Sequence, residues 1–215
     1  MYFSALRLAP AAEAGLIAYL WPLLIVLFSG LLPGEKIRAG HLIGALIGFG
    51  GAALIITGGE TGFQSSAIPG YALAFLCALT WSGYSVVSRR LGRFPTETVA
   101  VFCCATAVLS GVLHMMFETT VWPETTSSWL AAIGLGLGPV GLAFYVWDIG
   151  VKKGDIQLLG TASYAAPLLS TLCLVLAGIT PPTLTLAFAA ILITAGAVLA
   201  ARASSRGEQT GGSGR

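Results

Sequence analysis

Seven stretches of the chain are almost wholly apolar: residues 12–32, 41–58, 69–88, 97–117, 127–148, 157–178 and 183–202. Each is close to the ~20 residues that an α-helix, rising ~1.5 Å per residue, needs to cross ~30 Å of hydrocarbon. None alternates apolar and polar positions with the period of two expected of a lipid-facing barrel strand. The pattern predicts an all-α, polytopic membrane bundle of seven spans joined by short polar connections. The first run is read as a span rather than a secretory leader, because no basic segment precedes it and further spans follow.

Composition strengthens this reading. Hydrophobic residues make up 56% of the chain, charged residues 9%, and the mean hydropathy is +0.86. A soluble surface usually needs about 25% charge, so a soluble domain is excluded and the lipid bilayer is the expected surroundings. The formal net charge of +2 is too small to suggest nucleic acid as a partner. Cys77, Cys103, Cys104 and Cys173 fall inside apolar runs without metal-ligand spacing, so they read as small buried hydrophobes. No metal and no cofactor is expected.

The connections set an orientation. Lys36 and Arg38 follow the first span, Arg89, Arg90 and Arg93 the third, Lys152 and Lys153 the fifth, and Arg202, Arg206 and Arg215 the seventh. These alternate connections share one side of the membrane and hold ten of the 11 basic residues, Arg7 being the exception. The positive-inside rule makes that side cytoplasmic and places the C-terminus there.

One segment is written twice. Gly15-x-x-x-Tyr19-x-x-Pro22 recurs 145 positions later as Gly160-x-x-x-Tyr164-x-x-Pro167, each time followed by a second span. At the same offset Arg7 meets Lys152, although the charge pattern puts them on opposite sides, so the copies are expected to cross the membrane in opposite directions. An inverted repeat follows naturally from a unit with an odd number of spans. The second copy of the motif lies in the fourth span after residue 65, and one more span closes the unit, giving five. The first copy then begins at the fourth span of its own unit, as if three spans were missing. A late start, a truncated chain and a natural seven-span form stay open.

The "YLWP" of Tyr19 to Pro22, the "PGEK" of Pro33 to Lys36 and the inverted five-span units resemble the EamA-type carriers of the drug/metabolite transporter superfamily. "AEAGLIAYLWP", "LTWSGYSVVSRR" and "AFYVWDIGVKKGDIQLLGTASYAAPLLS" are most similar to its bacterial aromatic amino-acid exporters. The resemblance implies an inner-membrane exporter working by alternating access, with a central cavity between two repeats. Residues 1–60 would be the last two spans of the first EamA-type repeat, 61–203 a complete second repeat, and 204–215 a flexible cytoplasmic tail. Helices of both repeats line the cavity in the family, so the spans without a counterpart bear on whether the chain transports by itself.

The residues point the same way. Transporters bind substrate near the midplane on interrupted helices, and Pro22, Pro139 and Pro167 each fall within a span. A proline removes a backbone donor and kinks the helix; the kinks serve either a cavity or packing. Trp81, Tyr84, Ser85 and Ser88 share one face of span three, Gly15, Tyr19 and Pro22 one face of span one, and Gly160, Ser163, Tyr164 and Pro167 one face of span six. Tyr19, Trp81, Tyr84, Ser163 and Tyr164 are the candidate substrate-binding residues, since aromatic rings stack on an aromatic substrate and attract an ammonium group. Trp122, Trp129 and Trp147 lie near span ends and read as interface residues. Glu13 precedes the Gly-Tyr-Pro face and either meets a substrate ammonium, carries a proton or is solvated at the span end. His41 and Asp148 also lie near span ends and within reach of water, whereas His114 lies within span four, where it shares a face with Thr106 and Ser110 and reads as a helix–helix hydrogen-bonding residue. Gly40, Gly44 and Gly48, and Gly134, Gly138 and Gly141, read as helix-packing stripes.

No intramembrane Asp pair, "HExxH" helix or phosphate loop occurs, so no catalytic residue is expected and the chain is not read as an enzyme. The expected function is export of small metabolites, aromatic amino acids foremost. Another amphipathic metabolite or drug, or a non-transporting fragment or scaffold, remains the alternative. Energy coupling and oligomeric state stay open.

Overall fold

A computed structural model describes residues 1–212, and among these all regular structure is helical. The helices are α1 (Tyr2–Leu8), α2 (Ala11–Ala18), α3 (Trp21–Ser29), α4 (Ala39–Thr57), α5 (Ile68–Arg90), α6 (Thr98–Phe117), α7 (Thr126–Leu135), α8 (Ala143–Lys153), α9 (Ile156–Ala162), α10 (Ala165–Leu176) and α11 (Leu184–Gly212). They give seven stretches long and apolar enough to cross a membrane: α2 with α3, α4, α5, α6, α7 with α8, α9 with α10, and α11. The protein is therefore a polytopic helix bundle. Helix α11 continues past residue 203, where the second repeat was expected to end; the last three residues of the expected tail, 213–215, lie outside the described residues. The chain divides into two compact units, one of Met1–Val87 with the residues from Asp155 onward and one of Ser88–Gly154.

In the first unit, two spans are interrupted rather than bent. At Tyr19 and Leu20 the backbone ψ rises to 5° and −16°, and Leu20 N–H donates to Ile17 O three residues back. At Ser163 and Tyr164 ψ is −18° and −12°, and Tyr164 N–H donates to Thr161 O. Each interruption is a tight 3₁₀-like turn, after which a proline enters the first turn of the next helix, where its missing N–H costs little. Pro22 and Pro167 thus open α3 and α10 instead of kinking a continuous helix.

Shifting the chain by 145 residues carries the first residue of α2 onto that of α9, the first of α4 onto that of α11, and the start of α3 onto that of α10 within one residue. The equivalent helices α4 and α11 pack against each other antiparallel. A Cβ added at Gly40 would meet Ala203 Cβ at 2.8 Å, one at Gly44 would meet Gly196 O at 2.5 Å, and one at Gly51 would meet Ala189 O at 2.9 Å. The last two contacts exchange under the shift, since Gly44 is equivalent to Ala189 and Gly51 to Gly196. The crossing therefore has a local two-fold, and small residues permit the backbone approach that fixes it. Val26, Ala45, Ala52, Tyr164 and Ile193 form the buried core beside it.

Helix α1 has no signal in the apolar pattern. It stops at Ala9, which is extended (φ −147°, ψ 155°) as the residue before Pro10. Ala5 of α1, Ala14 of α2 and Ala74 of α5 are buried together.

The second unit holds the end of α5 with α6, α7 and α8. Pro139 lies in a π-helical segment, Gly136–Leu142, that joins α7 to α8, so the chain absorbs this proline by widening the turn. The glycine stripe expected to pack here does not: a Cβ at Gly134 or Gly138 meets nothing within 4 Å, and one at Gly141 meets Gly136 O of the same wide turn. Cys104 and Cys173 are exposed rather than buried as expected, on α6 and on α10 of the first unit respectively.

Candidate functional site

The break between α2 and α3 carries an aromatic cluster in the first unit. Trp21, the first residue of α3, meets Trp81 of α5 edge to face, with centroids 6.2 Å apart and planes at 88°. Trp81 stacks on Tyr84 one turn along α5, at 5.5 Å and 29°. All three rings are half-buried, so each retains exposed surface. The hydroxyls expected to share their face are taken elsewhere: Ser85 Oγ donates to Trp81 O at 2.9 Å and is buried. The sequence reading chose Trp81 and Tyr84 but passed over Trp21. The one signal for it is its place directly before Pro22, at the helix interruption.

Tyr19 is half-buried at the same break and packs against the core beside Leu23 and Leu168. Its repeat partner is placed differently. Tyr164 is 0% exposed, its ring lies against Gly48, where a Cβ would meet Tyr164 Cδ2 at 2.9 Å, and Phe49 is tilted across it at 6.0 Å. Its phenol oxygen accepts the Leu23 backbone N–H at 3.1 Å. Ser163 Oγ donates to Leu159 O at 2.7 Å. Tyr164 and Ser163 are thus engaged with the protein, whereas Trp81 and Tyr84 are brought together with Trp21.

Glu13 is 6% exposed, and its Oε1 accepts Gly62 N–H at 2.7 Å, tying α2 to the segment after α4. It is enclosed, not solvated. His41 is 3% exposed; its Nδ1 accepts Arg38 N–H at 3.3 Å and its Nε2 lies 3.2 Å from Ser204 Oγ. Arg38 Nη1 donates to Ala203 O at 2.5 Å, and Gln157 Nε2 donates to Glu35 Oε2 at 3.1 Å. The connection after α3, the start of α9 and the later part of α11 therefore lie at one end of this unit, as alternate basic connections require.

The two interruptions are not in equivalent surroundings. A Cβ at Gly160 would meet Pro22 O at 3.1 Å and Val26 Cγ2 at 3.2 Å, so α9 lies directly on α3 at the basic end. The equivalent position, Gly15, meets Ile56 Cγ2 at 3.3 Å and Tyr2 Oη at 3.9 Å, from α4 and α1 rather than α10. At the other end a cavity of about 230 Å³ is lined by Leu54, Ile55, Gly58, Thr171, Thr183, Thr185 and Leu186. It contains none of the residues predicted to bind substrate.

In the second unit Asp148 is 1% exposed, where water access was expected. Ser88 Oγ donates to its Oδ1 at 2.5 Å, and Lys152 Nζ lies 2.6 Å from its Oδ2. Arg89 Nη1 donates to Val151 O and Gly154 O at 2.8 and 2.7 Å, capping carbonyls that the end of α8 leaves unpaired. His114 lies 2.7 Å from Glu118 Oε2 and 2.9 Å from Thr120 Oγ1 on an exposed surface. Trp122 and Trp129 stack at 6.0 Å and stay exposed, as interface residues would. Among the described residues no cluster of His, Cys, Asp and Glu could hold a metal.

Comparison with known proteins joins these features to a family. The EamA-like transporter family matches residues 1–57 and 68–202. The aromatic amino acid exporter YddG of Ancylobacter novellus is 58% identical over 201 residues, covering 93% of this chain and 70% of that protein. YddG of Escherichia coli is 28% identical, covering 92% of this chain and 69% of its own length. A solved crystal structure superposes with a TM-score of 0.88 at 58% identity, over 93% of this chain and 71% of that one. With a family match spanning most of its length and seven membrane-spanning helices, the chain belongs to the EamA-like transporter family and is a multi-pass membrane protein.

Proposed function

We propose that the protein exports aromatic amino acids across the bacterial inner membrane, with its C-terminus in the cytoplasm. The observation that carries this reading is the Trp21–Trp81–Tyr84 cluster built onto a helix interruption. Half-buried rings offer faces to an aromatic side chain and attraction to its ammonium group, and a broken helix is where carriers of this kind bind. The names of the relatives support the substrate class. Tyr19, at the same break, completes the wall.

Residues 1–60 and 61–203 act as parts of two inverted repeats in this reading, supported by the shift of 145 residues and the antiparallel α4–α11 crossing. Access alternates as the packing of α9 on α3 loosens and the opposite ends of the broken helices close. No covalent chemistry is asked of any residue.

The test is efflux from cells preloaded with radiolabelled phenylalanine, tyrosine or tryptophan. Faster efflux than from cells lacking the protein is expected. Equal efflux of all three in cells shown to contain the protein in their membrane would overturn the substrate class.

A further inference from the structure

The strongest unexplained feature is the single hydrogen bond that joins the two interruptions. In an unbroken helix Leu23 N–H would donate to Tyr19 O. The turn at Tyr19 and Leu20 redirects it, and it donates instead to Tyr164 Oη, 141 residues away. Regular pairing resumes one residue later, where Leu24 N–H donates to Leu20 O at 2.9 Å. The acceptor belongs to the residue that opens the other interruption, because Tyr164 is the N-cap of α10. Its ring cannot swing away freely, since it is fully buried between Gly48 and Phe49.

The repeat-equivalent of this bond would run from Leu168 N–H to Tyr19 Oη. Both residues pack against the same core, yet Tyr19 is half-buried where Tyr164 is enclosed. The glycines show the same asymmetry: Gly160 is pressed onto Pro22 and Val26, whereas Gly15 faces Ile56 and Tyr2. The phenol bond and the α3–α9 contact therefore occur together on one side.

We propose that Tyr164 is a positioning residue for the transport cycle. Its phenol oxygen holds the α2–α3 break in the shape that seats α3 on α9, and Tyr19 makes the equivalent bond to Leu168 N–H when the opposite ends close. This rests on the carrier reading and adds to it the device that links the two breaks. It also moves Tyr164 from the substrate wall to the hinge.

The test reads conformation, not transport, so that it stands apart from the substrate claim. Cysteines replace Glu35 and Gln157, whose side chains meet at the closed end, in a protein whose Cys77, Cys103, Cys104 and Cys173 are serine. The rate of cross-linking by a short bifunctional thiol reagent in membranes reports how often that end is closed. Leaving a buried donor unpaired costs enough to shift such an equilibrium about five- to tenfold. Tyr164→Phe, which keeps the ring, is expected to lower the rate by that factor, and Tyr19→Phe to leave it unchanged or raise it. A backbone ester in place of the Leu23 amide deletes the same bond from its other partner without leaving a donor unpaired; it should also lower the rate, by a smaller factor, and tests the bond where Tyr164→Phe inserts poorly. Cross-linking at the parent rate in the ester variant or in inserted Tyr164→Phe, or a fall of the same size in Tyr19→Phe, overturns the proposal. Loss of efflux in the parent with these cross-linking results intact would count against the carrier reading and not against the hinge.

Discussion

Adding one methyl group at Gly196 should push apart the α4–α11 crossing. A Cβ there would collide with Gly44 O and lie 2.9 Å from Gly48 N and 3.2 Å from Gly48 Cα, all backbone atoms. Comfortable carbon contacts lie near 3.5–4.0 Å, so the helices must separate by roughly 1 Å, against tight packing on both sides. Overpacking of this kind costs about 1–3 kcal/mol. Replacing glycine by alanine in a helix returns about 1 kcal/mol, leaving a net loss of up to about 2 kcal/mol for Gly196→Ala. For a chain of this size that is a fall of up to about 8 °C in Tm. Gly50 lies on the same helix as Gly44 but has nothing within 4 Å of its Cβ position. Gly50→Ala should keep only the propensity gain and melt about 2–4 °C above the parent. Both values can be read by thermal unfolding of detergent-purified protein followed by tryptophan fluorescence or size-exclusion monodispersity. Opposite signs for the two alanines are the expected result. A Gly196→Ala protein that melts at or above the parent would refute the claim that backbone contact at this crossing limits packing.

Other consequences follow from the same structure. Trp21→Ala and Trp81→Ala should each slow aromatic amino-acid efflux several-fold, because a ring contact is worth about 0.5–1.5 kcal/mol; Trp129→Ala, at normal membrane levels, should match the parent. Asp148→Ala removes the carboxylate partner of Lys152, whose Nζ keeps its bond to Phe94 O, and should destabilise the protein by about 3 kcal/mol, seen as a drop in Tm and in folded yield. Single cysteines at Arg93 or Lys153 should resist an impermeant maleimide in intact cells, whereas a cysteine at Glu124 should react; labelling of Arg93 from outside would reverse the orientation.

Much of the fold is visible in the apolar pattern because hydrocarbon thickness dictates span length. All seven spans follow from it, and the Gly-Tyr-Pro repeat marks both interruptions. The pattern is silent on α1, a seven-residue helix held by Ala5 and Ala14 rather than by its own periodicity. Proline announces that a helix is disturbed but not how. Pro22 and Pro167 open new helices, and Pro139 sits in a π-helical segment, because neighbouring residues decide where the lost hydrogen bond is absorbed. The site was half legible for a similar reason. Trp81 and Tyr84 share a face by spacing alone, but Trp21 meets Trp81 only through the fold, by an edge-to-face contact between the start of α3 and α5. Tyr164 and Tyr19 are equivalent in sequence and differ in surroundings, and a repeat alignment cannot register which side of a two-sided device is closed. Asp148 illustrates the limit for charge: its position near a span end predicts water, whereas Ser88 and Lys152 enclose it.

The central claim is that the aromatic cluster at the α2–α3 break carries an aromatic amino acid across the membrane. Counterflow measures this most directly. Purified protein is reconstituted into liposomes loaded with unlabelled tryptophan, and uptake of labelled tryptophan from outside is followed over time. The account predicts transient accumulation above protein-free liposomes, competition by phenylalanine and tyrosine but not by lysine or glutamate, and loss of most of the signal in Trp21→Ala and Trp81→Ala. Accumulation no greater than in protein-free liposomes, or full accumulation in both tryptophan variants, would contradict it.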